Sequence, residues 1–314
     1  MSVRPLVLPL GLATALALTA CGSSASTGAT SSGTAPATVE ITHAQGRTSV
    51  PVKPAKVAVF DFGVLDTVDA LGGHVVALPK QALPKTLDKY KDASYVDAGT
   101  MQEPDLEKLA QAKPDVILIG PRTAAKYADL TKIAPTVDLS MKGTDVIADG
   151  KAQARSLGTI FDATSTVDQG LTTLDEAVSR TAAKAANAGT GLVLMTSGGK
   201  VAAFGPGSRF GLVHDQLKVA PALNDLKVDR HGQALGFEAI AKAAPKRLFV
   251  VDRDAAIGQS GAAAKQVLDN PLVGGTPAWK DGKVTYLDGQ RWYVMGSGLR
   301  NLPEMVAEVE RGLS

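Results

Sequence analysis

The chain has 314 residues, with 33 basic and 31 acidic side chains and a net charge of +2. The two signs are interspersed, which excludes the one-signed surface that nucleic acid or an anionic membrane would require. Its only cysteine is Cys21, so no intramolecular disulfide can form, and the length exceeds what one hydrophobic core usually holds, so two lobes are expected.

In chain order, Arg4 precedes an apolar run at 6–20 that ends in Leu18-Thr19-Ala20-Cys21. The run is about 15 residues, short of the roughly 18 to 20 a membrane-crossing helix needs, so 1–21 reads as a signal peptide. Leu-Thr-Ala-Cys resembles the bacterial lipobox, whose cysteine is acylated. Cys21 is therefore expected to hold the protein at the extracytoplasmic face of the bacterial cell membrane. Residues 22–38 are almost all Gly, Ser, Ala and Thr, a composition that cannot bury a core, and 22–54 is expected to be a flexible tether and lead-in.

Beyond it, β-branched runs at 57–60, 115–120, 136–139, 191–196, 247–252 and 284–287 predict strands. Helical patterns at 63–71, 104–112, 123–133, 237–243 and 303–313 alternate with them, which is an α/β pattern. Residues 106–122 align without gaps on 237–253 at a constant offset of 131, pairing Glu107 with Glu238, Ala110 with Ala241, Ala112 with Ala243, Pro114 with Pro245 and Arg122 with Arg253. The unit is helix, proline, strand, arginine, and its repetition predicts two lobes of similar topology. Helix-proline-strand segments are common, so chance is the competing explanation. Between the copies, 164–187 lacks proline and spaces Leu171, Leu174 and Val178 three and four apart. That predicts one helix about 33 Å long, better suited to bridging two lobes than to a crossover within one. The expected organisation is a first lobe at 55–163, a linking helix at 164–187 and a second lobe at 188–314.

Each repeated arginine follows the carboxyl end of a strand, where ligands bind in open α/β sheets. One such arginine alone is more often a helix-cap or surface residue; the matched pair, Arg122 and Arg253, favours a shared cleft.

At this point the sequence resembles the iron-siderophore substrate-binding proteins of ABC importers, the type with two Rossmann-like lobes joined by one long helix, and most of all those that bind ferric catecholates. The strings that carry the resemblance are Val59-Phe60-Asp61-Phe62-Gly63 with Leu65-Asp66-Thr67, Glu103-Pro104-Asp105-Leu106-Glu107, Gly207-Ser208-Arg209-Phe210-Gly211 with His214-Asp215, His231-Gly232, Asp252-Arg253-Asp254-Ala255-Ala256 and Trp292-Tyr293. The resemblance implies a basic cluster of Arg122, Arg209 and Arg253, with His231 and Tyr293 facing the siderophore's Fe(III) where coordination sites are vacant, and Trp292 beside them. It also implies that Glu107 and Glu238 dock on an ABC permease served by its ATPase. Arg291 and Gly289 depart from the family's pattern, and Arg291 enters the expected ligand-binding set as an added charge. Nothing in this reading calls for an intrinsic cofactor or more than a monomer.

The chemistry agrees with these residue types. A ferric tris-catecholate carries about three negative charges on flat oxygens, which guanidinium groups meet with several donors each. Fe(III) is a hard acid, suited to a phenolate and, less well, to an imidazole. Taken singly, His231 reads as a turn residue, Tyr293 as packing, and Glu107 and Glu238 as solvated helix residues. A haem or cobalamin binder of the same fold is the nearer alternative and would want a larger apolar cleft with fewer cations. A lipoprotein enzyme is the remote one: no Gly-x-Ser-x-Gly occurs, and the four histidines include no pair at metal-ligand spacing.

Overall fold

The computed structural model describes residues 37–229 and 231–314; the signal peptide expected at 1–21, with Cys21, lies outside them. The lead-in folds further than its composition suggests. Strands β1 (Thr38–His43) and β2 (Gly46–Pro51) form an antiparallel hairpin that sets His43 against Gly46. Its signal was the alternation of Val39, Ile41 and His43, which turn inward while their neighbours face solvent.

The first sheet comprises β3 (Val57–Phe60), β4 (Val75–Leu78), β5 (Val96–Asp97), β6 (Val116–Ile119) and β7 (Thr136–Asp138), all parallel in the order β5-β4-β3-β6-β7. Every residue of β3 and β6 is buried, which explains their unbroken apolar runs, since helices cover both faces of a parallel sheet. The second sheet comprises β8 (Thr190–Ser197), β9 (Lys200–Phe204), β10 (Ala220–Pro221), β11 (Gln233–Ala234), β12 (Arg247–Asp252) and β13 (Val284–Leu287), with main order β11-β9-β8-β12-β13 and β10 beside β8. Gly198 and Gly199, at φ +56° and +73°, make the two-residue turn that sends β9 back antiparallel along β8.

The repeat is real in three dimensions. Leu106–Ala112 and Phe237–Ala243 are both seven-residue helices. Each ends on a non-glycine residue in the left-handed region, Lys113 at φ 49° and Ala244 at φ 44°, directly before Pro114 and Pro245, which cannot continue a helix. The strands that follow take equivalent places, β6 beside β3 and β12 beside β8.

The helix Thr164–Ala185 runs 22 residues and buries Val167, Leu171, Leu174, Ala177, Thr181 and Ala185. It packs against the helices Val146–Ile160 and Asn301–Gly312. Gly170 is needed for that fit, because a Cβ there would lie 2.8 Å from Leu299 Cδ1. The helix Val146–Ile160 escaped the sequence reading because Gly150 and Gly158 weaken its pattern; both are contact points, against Leu302 and Val167. The single helix predicted at 123–133 is instead a 3₁₀ turn, Ala124–Lys126, followed by Tyr127–Leu130. Lys126 at φ −96°, ψ 3° breaks the helical run.

One join ties the chain's end to its beginning. Asp66, in the helix Phe62–Ala70, accepts the backbone N–H groups of Arg300 at 2.9 Å and Asn301 at 3.2 Å through Oδ2. It thereby caps the C-terminal helix Asn301–Gly312 from the first lobe. The Arg300 guanidinium adds ion pairs to Asp66 and Asp69. Among the described residues no helix is long and apolar enough to cross a membrane.

Candidate functional site

The carboxyl ends of the central strands supply the site. Asp61 follows β3, Gly120-Pro121-Arg122 follows β6, Ser197 ends β8, and Arg253 follows β12. The chain from β13 to the C-terminal helix makes a π-helical turn, Gln290–Met295, closed by Gly296 at φ 71°. Such a turn leaves its last carbonyls without intrahelical partners, and arginines take them up.

Three arginines converge on Tyr293. Arg122 donates through Nη2 to the Tyr293 carbonyl at 2.8 Å and through Nη1 to the Val294 carbonyl at 2.9 Å. Arg209 donates to the same Tyr293 carbonyl, and its guanidinium carbon lies 4.3 Å from the centre of the Tyr293 ring. Arg253 donates through Nε to the Tyr293 hydroxyl at 3.0 Å. Ser197 Oγ at 3.1 Å and the Asp254 carboxylate at 3.2 Å hold Arg253 from behind. Burial works to raise the Tyr293 pKa, but the hydrogen bond and charge of Arg253, with the charge of Arg209, outweigh it and leave the phenol below its ordinary range. Arg253 in turn rises above its ordinary value, first through its bond to Tyr293.

Two cavities meet at this junction. The larger, about 420 Å³, is bounded by Arg122, Arg209 and Asp61, with Met141, Trp292 and Met295 among its apolar walls. The smaller, about 230 Å³, is bounded by Arg122, Arg253, Tyr293, Phe62 and Met101. Arg122 faces both.

The other predicted residues are distributed less tightly. Trp292 is 1 % exposed. It forms part of the larger cavity's wall, turns its indole N–H to Glu308 Oε2 at 2.9 Å and meets Phe210 edge-on. Arg291 was expected at the ligand, but it lines neither cavity. It pairs with Glu308 at 3.5 Å and bonds Asn301 at 3.4 Å, because a buried carboxylate at Glu308 needs a cation more than the cleft needs a fourth arginine. His231 sits on an exposed turn with its backbone N–H on Asp229 Oδ1 at 2.7 Å. Val228 and Asp229 line the larger cavity and His231 itself does not. Glu107 and Glu238 are exposed in the first turns of the two repeated helices, outside both cavities.

Glu308 was not anticipated, since a lone glutamate in an amphipathic helix carries no signal. Its Oε2 accepts from Asp288 N at 3.0 Å as well as from Trp292, fixing the turn that presents Tyr293. Glu308→Ala strands the buried Trp292 indole N–H, releases the part-buried Asp288 amide and removes one of the carboxylates paired with Arg291, and is expected to cost about 2 to 4 kcal/mol. Glu308→Gln, which keeps one acceptor, should cost less. Urea unfolding midpoints of the two variants check the order, and equal stability in Glu308→Ala and wild type would remove Glu308 from this role.

Two α/β lobes whose strand ends face a cleft lined by cations define a solute-binding protein of the two-lobed kind. The profile of the periplasmic binding protein family matches residues 57–291, and the chain belongs to that family. It is 42 % identical over 314 residues to the petrobactin-binding protein YclQ of Bacillus subtilis, covering 98 % of each chain. It is 31 % identical to the ferric-anguibactin-binding protein FatB of Vibrio anguillarum, covering 87 % of each. The crystal structure of YclQ superposes with a TM-score of 0.85 over 88 % of this chain and 99 % of that one. The catecholate-siderophore binding protein VctP of Vibrio cholerae, 34 % identical, superposes with a TM-score of 0.82 over 88 % of this chain and 100 % of its own.

Proposed function

We propose that the protein captures an anionic ferric siderophore of the catecholate type in the cleft and delivers it to the permease of an ABC importer. The observation that carries this is the convergence of Arg122, Arg209 and Arg253, from both lobes, on Tyr293 between two cavities. Each guanidinium carries five N–H donors in a planar fork, the geometry that suits catecholate oxygens. The names of YclQ, FatB and VctP support the ligand class. Iron arrives here as cargo, with the phenolate of Tyr293 as a direct ligand when the siderophore leaves sites vacant and His231 swinging in from its exposed turn beside the larger cavity. Titration with ferric catecholate, haem and cobalamin tests the reading through Trp292 fluorescence. Ferric catecholate should quench in the submicromolar range; tighter binding of haem or cobalamin would overturn it.

Delivery requires attachment at the membrane and docking. Cys21 is the acylated anchor in this reading, so a Cys21→Ala protein should leave the membrane fraction or persist as precursor; fractionation of the variant with membranes as a mature form counts against it. Glu107 and Glu238, equivalent in the repeat and exposed, suit a permease built from two like halves. Glu107→Ala and Glu238→Ala should each reduce uptake by cells while siderophore affinity of the purified proteins stays within about twofold of wild type. A matching loss of affinity would place these carboxylates at the ligand instead.

A further inference from the structure

Two carboxylates line the larger cavity, Asp61 and Asp229; Asp229 is exposed, whereas Asp61 is buried and still has a hydrogen-bonding oxygen to spare. Its Oδ1 accepts the N–H groups of Gly63 at 2.9 Å and Val64 at 3.0 Å and so caps the helix Phe62–Ala70. Its Oδ2 makes no hydrogen bond among the described residues, although Asp61 is only 5 % exposed and lines the larger cavity with Arg122 and Arg209. Oδ2 lies over Gly120, where an added Cβ would be 2.4 Å from it. Gly120 is not in the left-handed region, so the absence of a side chain there serves the carboxylate rather than the backbone.

A ligand that is anionic throughout would press negative charge against this oxygen in a site closed to water, and a buried unpaired charge is strongly unfavourable. A donor on the ligand resolves the conflict, and an ammonium does so best because the hydrogen bond is then charge-assisted on both sides. Burial raises the Asp61 pKa, and the charge of Arg122 and the two amide bonds offset this only in part; a cation bound at Oδ2 would act in the same direction as Arg122.

We propose that Asp61 is a specificity-determining residue whose Oδ2 accepts a hydrogen bond from a protonated amine in the arm linking the ligand's catecholates. The site then recognises a ligand that is anionic at its iron and cationic in its linker. This rests on the ferric catecholate reading of the cleft.

The test uses two synthetic ferric bis-catecholates of equal linker length, one with a secondary amine at mid-linker and one with an ether oxygen there. Dissociation constants are measured by fluorescence on the wild-type protein and on Asp61→Asn, which retains a good helix cap. Wild type should bind the amine ligand about tenfold tighter than the ether. Asp61→Asn should bind the two within about twofold of each other, the ether as well as wild type does or better. Equal binding of both ligands by wild type, preference for the ether, or discrimination retained in Asp61→Asn would each overturn the assignment. Should Asp61→Asn fail to fold, Gly120→Ala, which displaces Oδ2 without changing charge, takes its place with the same expected loss of discrimination, and discrimination that survives it overturns the assignment. Failure of wild type to bind either ligand would overturn the reading of the cleft itself.

Discussion

Arg122→Ala should weaken binding of every anionic ferric catecholate by roughly 2 to 4 kcal/mol, tetradentate and hexadentate ligands alike, because it removes charge-assisted bonds from a desolvated anion. The expectation is strongest for Arg122 among the three arginines. It faces both cavities and is the one that reaches from the first lobe to the Tyr293 and Val294 carbonyls. Arg122→Lys keeps the charge but cannot span two carbonyls with a planar fork, and should recover only part of the loss. Isothermal titration of both variants decides the matter: affinity within about twofold of wild type for Arg122→Ala would reduce Arg122 to a clasp between lobes.

Tyr293→Phe should separate ligands by denticity. It deletes one oxygen and keeps the ring that stacks under Arg209. With a ferric bis-catecholate it should weaken binding about tenfold or more and shift the charge-transfer band, since water must replace the phenolate; with a saturated tris-catecholate little should change. His231→Ala should follow the same split. The pH dependence carries a sign. Coordination needs the phenolate, so below the Tyr293 pKa binding releases a proton and bis-catecholate affinity rises with pH, then flattens once the free protein is already ionised. That pKa is held below the ordinary tyrosine value, so the flattening should come earlier than for an unperturbed phenol, and Tyr293→Phe should lack this component of the slope. An unaltered spectrum and affinity in both Tyr293→Phe and His231→Ala would refute direct coordination and leave capture by arginines alone.

Strand ends and arginine placement were legible because each depends on local signals. Pro114 and Pro245 punctuate, buried parallel strands read as apolar runs, and the repeat doubled the weight of Arg122 and Arg253. Arg209 has no periodic signal and entered only through resemblance. Arg291 is expected at the ligand as an added charge, whereas its partner Glu308 comes from the next helix and only the fold brings the two together. Asp61 stands within Val59-Phe60-Asp61-Phe62-Gly63, yet nothing in a sequence distinguishes an aspartate with two employed oxygens from one with an oxygen to spare. The helix Val146–Ile160 is hidden by Gly150 and Gly158, whose reasons are tertiary contacts, and the hairpin by the polar run of β2, where Thr48 donates to the Thr136 carbonyl.

The cap that Asp66 places on the helix Asn301–Gly312 makes the two halves of the chain interdependent. Cutting the linking helix would not release two self-sufficient folds: the carboxy-terminal fragment would lack the acceptor for the amides that open its last helix, and the amino-terminal fragment would expose Asp66, which is 4 % exposed in the whole protein. Leu302 seated on Gly150 adds an apolar contact across the same seam. Despite its duplicated plan the protein is expected to unfold as one cooperative unit, and a ribosome must deliver the start of the last helix, Asn301–Gly312, before Asp66 of the first lobe finds its partners.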